Sequence, residues 1–351
     1  MRKILTRIFA FIGFMVVLSI TISVASGIWY ASRGPKMPQR MVLEFDFATP
    51  VREAASSNAL LQEILGKRSI DLRTLILALD RASKDPNVAG LYANVSRSDL
   101  GLAQIEEVRA ALKRFTDAGK FAYAWADTFG EVGPGNRTYW LASAFTRIDL
   151  QPLGMLGLTG ASISQPFART ALDRLGITPD VHQRYEYKGA LENFSESSLP
   201  EPLRENYTTL LQDLHRNMVT DIAAARSLKA DALNELINRA PLLGREALDA
   251  KLVDTLAYAD ETRKAATEQA GSGAEFFGLV DYLYASPAPS VKPENRVALV
   301  YATGPIVGRS GDRGPLGERE IIGADETAKA IEDASKAANV KVIVIRLDSP
   351  G

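Results

Sequence analysis

The sequence predicts an α/β protein in which a parallel sheet is begun twice along the chain, after an apolar N-terminal segment. Three observations support this fold class. Short β-prone runs alternate with amphipathic runs of helical length, the alternation starts again near residue 296, and residues 8–32 carry no charge. Strand, helix, strand order implies parallel strands joined by crossover helices.

The N-terminal segment has the features of a membrane anchor. Three basic residues precede the uncharged run at 8–32, and about 25 residues at 1.5 Å rise cover the ~30 Å hydrocarbon core. The preceding charges favour a cytoplasmic N-terminus, with the rest of the chain outside the cytoplasm. A cleaved signal peptide is the alternative, because residues 24–26 include small residues of the kind found at a signal-peptide cleavage site. Residues 1–40 are therefore predicted to be cytoplasmic N-terminus, transmembrane anchor and tether.

The first α/β domain is predicted over residues 41–285. Its apolar runs alternate between the period of a strand and the period of a helix. The last strand of this series is predicted to deliver Lys188. In chain order, the predictions are strand 41–47, helix 72–84, strand 88–95, helix 102–115 stopped by Gly119, strand 121–126, strand 147–150, helix 167–175 stopped by Gly176, and strand 181–187.

After Lys188 the pattern becomes helical. Helices are predicted at 202–226, 230–239 and 245–261, and the apolar stripe of the first is predicted to pack in the core. Residues 286–295 are rich in proline and serine and are predicted to be a linker.

A second domain is predicted to begin after this linker, over residues 296–351. Residues 297–305 lie 255 positions after the similar stretch 42–50, and residues 334–340 lie 252 positions after 82–88. Two matches in series favour an internal duplication. The second copy reaches only a β-branched strand at 341–347 and the turn 348–351. Such a strand would leave an unpaired sheet edge, so we expect the chain to be a fragment of a longer protein.

Composition excludes several classes of function. Lysine and arginine (41) nearly balance aspartate and glutamate (42), which gives no reason to expect nucleic acid as a partner. The chain has no cysteine and two histidines, His182 and His215. Thiol nucleophiles are therefore excluded, and the chain carries no motif for zinc peptidases, P-loops or dinucleotide binding. No cofactor and no metal are predicted.

The stretch 184–194, Arg-Tyr-Glu-Tyr-Lys-Gly-Ala-Leu-Glu-Asn-Phe, holds the candidate catalytic residue. Lys188 follows a β-prone run and precedes Gly189 and Ala190, where the backbone could turn sharply and a reacting group could approach. We interpret Lys188 as a general base. The alternative from the local pattern is a solvated surface lysine.

These features together resemble a known family. The anchor, the duplicated units, the Tyr187-Lys188-Gly189-Ala190 stretch and the Arg-Leu-Asp-Ser-Pro-Gly ending are similar to the long, duplicated form of the signal peptide peptidase A family, the serine peptidases of family S49. The resemblance spans residues 8–351 and implies a spiral of ββα repeats, crotonase-like or Clp-protease-like. Residues 244–254 resemble the segment that closes a repeat in this superfamily, with Lys251 in place of the usual glycine.

The resemblance implies a Ser/Lys dyad. Lys188 would take the proton of a serine, which it can do only in its neutral form, so burial away from carboxylates such as Glu186 would favour the role. Gly351 resembles the first glycine of the family's Ser-Pro-Gly-Gly turn, whose N–H groups stabilise the oxyanion. The offset between the two copies predicts the serine nucleophile roughly 35 residues beyond Gly351. The matching region of the first copy, 133–140, has no serine, and nearby Ser143 lies in a predicted helix.

The function implied by the resemblance is that of a membrane-anchored serine endopeptidase. It would lie in the bacterial inner membrane with one span, face the periplasm and cleave hydrophobic peptides such as released signal peptides. The family also suggests a homo-oligomer, a tetramer, and we expect the present chain alone to be inactive. One alternative is a catalytically silent anchored scaffold with the same fold. Another is a crotonase-type enzyme for coenzyme A thioesters, which an extracytoplasmic location disfavours.

Overall fold

The computed structural model describes residues 36–54, 69–131, 133–286, 294–308 and 321–351, together with the single residues 13, 15, 18, 19 and 21. The predicted anchor at 8–32 otherwise lies outside the described residues, as does most of the predicted linker. Among the residues that the structure describes, no helix has both the length and the apolar character needed to cross a membrane.

The centre of the first unit is a six-stranded sheet, and its neighbouring strands all run parallel. Its order is β10-β1-β4-β5-β6-β9. The strands of the described chain are β1 Met41–Asp46, β2 Val51–Arg52, β3 Ile70–Asp71, β4 Val88–Asn94, β5 Phe121–Ala126, β6 Arg147–Leu150, β7 Met155–Leu156, β8 Leu242–Leu243, β9 Thr255–Leu256, β10 Glu275–Gly278, β11 Arg296–Thr303, β12 Ile306–Val307, β13 Ile322–Gly323 and β14 Val340–Asp348.

Helices connect these strands and cover the sheet. They are α1 Leu72–Ala82, α2 Leu102–Asp117, α3 Asn136–Ala142, α4 Arg169–Arg174, α5 Glu192–Ser195, α6 Glu201–Arg226, α7 Ala230–Arg239, α8 Gly244–Asp249, α9 Ala259–Ala270, α10 Leu279–Ala285 and α11 Ala324–Lys336. The apolar faces of α1 and α2 bury Leu75, Leu79, Val108 and Leu112 in one continuous core. Burial of this apolar surface against the sheet is the main source of stability.

A second unit repeats a similar set of pairings. Strands β11 and β14 pair in parallel, with a register irregularity after Arg296, just as β1 and β4 do after Met41. Short parallel pairs accompany both, β2 with β3 and β12 with β13. Among the described residues β14 pairs only with β11, and its apolar Val344, Ile345 and Leu347 are exposed.

Most predicted elements are confirmed. The predictions for β5, β6 and α7 match the structure residue for residue, and those for α1, α2 and β4 differ only at their ends. The parallel sheet and the mixed α/β class are confirmed as well.

Three predictions for the region after β6 are wrong, wholly or in part. Residues 181–187 form bends and turns instead of a strand. The helix at 245–261 is interrupted, because α8 ends at Asp249 and β9 follows before α9 begins. The apolar stripe of α6 is core only in part: Leu203, Met218 and Ile222 are buried, whereas Leu210 is 48% exposed.

Candidate active site

Lys188 lies in an irregular segment between α4 and α5, on an exposed turn. Tyr185 adopts a left-handed conformation (φ 67°), and the Lys188 N–H donates to the Tyr185 carbonyl at 3.3 Å. A positive φ is sterically unfavourable for a bulky residue such as tyrosine. Contacts with the surrounding chain must therefore stabilise this turn. The strand predicted at 181–187 is absent, and β9 is the strand that lies beside β6.

The Lys188 turn packs on the first turns of α6. The Tyr187 hydroxyl donates to Glu205 Oε2 at 2.8 Å, and a methyl group added to Gly189 would collide with the buried Leu203 side chain. Gly189 is therefore required for close approach between the two segments, and its φ lies outside the left-handed region. A turn also begins at this glycine, because its carbonyl accepts from the Glu192 N–H.

Glu192 closes the loop that carries Lys188. The residue is only 4% exposed, and its Oε1 accepts from Gln183 Nε2 at 3.0 Å. The Glu192 N–H also donates to the Gly189 carbonyl at 3.3 Å. Glu192 Oε2 and Asn193 Oδ1 are buried without a hydrogen-bond partner in the described part of the chain. Residues on both sides of Lys188 are thus joined by a buried carboxylate.

The environment of Lys188 differs from the buried site expected from the sequence. Its side chain is exposed, and within the described residues neither Lys188 nor Glu186 forms an ion pair.

The second candidate, Gly351, lies at the end of β14. Its φ is 117°, its N–H donates to Ser349 Oγ at 3.0 Å, and its carbonyl accepts from Ile306 N at 3.0 Å. Residues 348–351 thus form a hydrogen-bonded turn over β12. The Gly351 N–H is engaged within this turn, so an oxyanion could take it only by displacing the Ser349 hydroxyl.

Ser143 is unsuited to act as a nucleophile. It is buried at the end of α3, where its hydroxyl donates to the Trp140 carbonyl at 2.8 Å and accepts from Arg109 Nη1 at 2.6 Å. Burial lowers the pKa of the Arg109 guanidinium, which Asp221 at 3.3 Å partly offsets. These contacts make Ser143 part of a buried polar link between α2, α3 and α6.

The remaining candidates for chemistry are surface or structural groups. His182 is exposed beside Asp180, and His215 Nε2 lies 3.0 Å from Asn234 Oδ1, a contact between α6 and α7. In the described ranges no three metal-ligating side chains cluster.

Comparisons with known proteins show what the chain is similar to. Residues 114–272 match Peptidase family S49, a range that contains Lys188. Protease 4 of Salmonella typhi is 27% identical over 354 residues, which cover 93% of this chain and 55% of that protein. The chloroplastic serine protease SPPA of Arabidopsis thaliana is 25% identical, with 77% of this chain and 40% of that protein covered. The chain thus spans about half the length of the curated relatives it matches.

Among solved structures, an enoyl-CoA hydratase/isomerase family protein from Silicibacter pomeroyi aligns with a TM-score of 0.33 at 15% identity, over 57% of this chain and 71% of that one. The fold and the sequence matches define an α/β protein related to serine proteases. The segment 114–272 is thus similar to peptidase family S49, and proteases are among the relatives that match most of the chain.

Proposed function

We propose that this chain is the lysine-bearing part of a membrane-anchored serine endopeptidase that cleaves hydrophobic peptides such as released signal peptides. The observation that supports it best is the position of Lys188. It lies inside the segment that matches family S49, on a turn fixed against α6 by Tyr187 and Gly189. An anchor at residues 8–32, a periplasmic location and assembly into a homo-oligomer belong to the same proposal.

The internal duplication is also part of the proposal. Each described element of the second unit has a counterpart in the first, at one of two offsets. Strands β11 and β12 begin 255 positions after β1 and β2. Strand β13, helix α11 and strand β14 begin 252 positions after β3, α1 and β4. The strand pairs formed are equivalent in both units. In this scheme one unit supplies the base and the other supplies the nucleophile, which lies outside the present chain.

The chemistry assigns each group a role. Neutral Lys188 Nζ takes the proton of a serine hydroxyl as its oxygen attacks the peptide carbonyl carbon. The carbonyl oxygen becomes an oxyanion, to which the N–H of Gly351 and of a neighbouring residue would donate. The Lys188 ammonium then protonates the leaving amine, which leaves an acyl-enzyme. A water molecule, deprotonated by the same lysine, hydrolyses the ester and regenerates the serine.

An activity assay tests the role of Lys188. In the full-length protein, we expect Lys188→Ala to lower hydrolysis of a hydrophobic reporter peptide by about 10³-fold or more, with an unchanged circular dichroism melt. The matched control is Lys264→Ala, which removes another exposed lysine from the family segment and should leave the rate unchanged. Undiminished hydrolysis by the Lys188 variant would exclude the dyad.

A catalytically silent scaffold is the second candidate. It is favoured by one observation, the exposure of Lys188 in the described chain. In that case neither the full-length protein nor its Lys188 variant would hydrolyse the reporter. The present 351-residue chain is expected to be inactive under both proposals.

A further inference from the structure

An ion-pair cluster joins the second unit to the first. Arg346, on β14, forms an ion pair through Nε with Glu53, which follows β2. Its Nη1 and Nη2 donate to Glu107 Oε2 and Oε1 of α2 at 3.0 and 2.7 Å. A guanidinium fork that meets a carboxylate with two parallel hydrogen bonds fixes direction as well as distance.

The cluster is more than a surface ion pair. The Glu53 side chain is 6% exposed, compared with 28% for Arg346 and 38% for Glu107. The other Glu53 oxygen accepts from Gln104 Nε2 at 2.8 Å, so both carboxylate oxygens have partners. A carboxylate buried to this extent requires its counter-charge, and Arg346 is the cation that supplies it.

The cluster also lies next to the candidate oxyanion turn. Arg346 and Asp348 line a cavity of about 990 Å³ between the units, together with Glu53 and Glu107. Two residues after Arg346, β14 ends and the turn at 348–351 begins. The end of the strand that leads to Gly351 is thus tied to the unit that carries Lys188.

We infer that Arg346 is a positioning residue, which clamps the end of β14 to the first unit and so sets Gly351 relative to Lys188. The catalytic part of this inference rests on the proposed function, whereas the clamp itself is a statement about geometry. The offset between the repeats places Asn94 of β4 at the position equivalent to Arg346. The first unit therefore has no arginine at this position, as expected if the ion pair joins the units and is not part of the repeat.

Distance measurements on the 351-residue chain test the clamp. The chain has no cysteine, so Lys113→Cys on α2 and Lys329→Cys on α11, both at exposed positions, can carry a pair of spin labels. We expect a narrow distance distribution in the parent chain and a distribution at least twice as broad after Arg346→Met. Arg346→Lys, which keeps the charge and loses the fork, should give an intermediate width.

The matched control is Arg296→Met on the neighbouring strand β11. Arg296 is exposed and its side chain forms no ion pair within the described part of the chain, so the distribution should stay narrow. If Arg346→Met fails to fold, Glu107→Gln removes one partner at a half-exposed position and should broaden the distribution in the folded chain. An unchanged distribution in the folded Arg346→Met or Glu107→Gln chain would overturn the clamp.

Activity measurements separate the two proposals. In the full-length protein, Arg346→Met should lower kcat at least tenfold with little change in KM, and Arg346→Lys should restore part of it. If Lys188→Ala keeps full activity while the distances respond to Arg346, the proposed function fails and the clamp stands. If the distances respond but kcat does not, Arg346 joins the units without positioning the site, and the inference is wrong.

Discussion

At the scale of single residues, Lys251 occupies a backbone position that favours glycine. Lys251 has a φ of 60° and follows α8, where its N–H donates to the Leu248 carbonyl and the Leu252 N–H donates to the Ala247 carbonyl, both at 2.9 Å. This pair of bonds is the Schellman motif, whose left-handed position favours glycine. The position of Lys251 therefore carries a backbone cost that a glycine would not have.

We predict that Lys251→Gly stabilises the protein. A left-handed conformation costs a residue with a Cβ about 1 kcal/mol, and the Arg226 Nε bond to the residue 251 carbonyl is kept because it uses the main chain. The free energy of unfolding, measured in urea, should therefore rise by about 1 kcal/mol. Lys264→Gly, inside α9, is the control and should lower it by about 1 kcal/mol. Equal destabilisation by both changes would refute the explanation.

The candidate site was predictable where its residues are contiguous in sequence. Tyr187, Lys188 and Gly189 form one short motif, which lies within the segment that matches family S49. The contacts of Arg346 could not be predicted from a local motif, because Glu107 lies 239 residues away in the sequence. Glu192 carries a weak sequence signal, an acid in an otherwise apolar and small stretch, but its burial depends on Gln183 and the chain around it.

At the scale of elements, the Lys188 loop illustrates why a β-prone run need not become a strand. Residues 181–187 contain valine and two tyrosines, which favour extended structure. A strand also needs a partner, and β9 already pairs with β6 at the edge of the sheet. The loop is instead held by side chains, through the Tyr187 to Glu205 bond and the packing of Gly189 on Leu203.

We predict that Gly189→Ala disturbs this contact. The added methyl group has no room unless Leu203, which is 3% exposed, moves. Overpacking of this kind costs about 1–3 kcal/mol, and the effect should be seen as faster amide hydrogen exchange in residues 185–192. Gly133→Ala is the matched control, because nothing lies within 4 Å of the added group there. A double change, Gly189→Ala with Leu203→Ala, should restore slow exchange in the loop; continued fast exchange would argue against the collision.

At the scale of the whole molecule, buried tyrosines link stability to alkaline pH. Burial raises the pKa of Tyr92 to about 12 and raises the pKa of Tyr139, whose hydroxyl donates to the Leu252 carbonyl at 2.6 Å. Burial and the hydrogen bond to Asp85 raise the pKa of Tyr282. Unfolded tyrosines lose their protons near pH 10, so the folded state holds more protons above that pH.

We predict that stability is retained up to about pH 10 and falls as the pH rises from there towards 12. The raised pKa keeps each phenol protonated in the folded state at a pH where the unfolded chain has already lost that proton. Raising the pH therefore favours the unfolded state. Urea unfolding at several pH values measures the slope. Tyr139→Phe removes one of the three groups and should make the decline shallower. A free energy of unfolding that is constant or rises over this range would contradict the assignment.

The sequence by itself determined the α/β class and the order of most strands and helices. These features depend on local periodicity and on contiguous motifs, which the chain carries at every point along its length. Only the tertiary structure decided which strand lies beside β6, that Lys188 is exposed on a turn, and that Arg346 meets Glu53 and Glu107. Each of these is set by competition among distant segments for one sheet edge or one buried charge, and such competition leaves no periodic signal in the sequence.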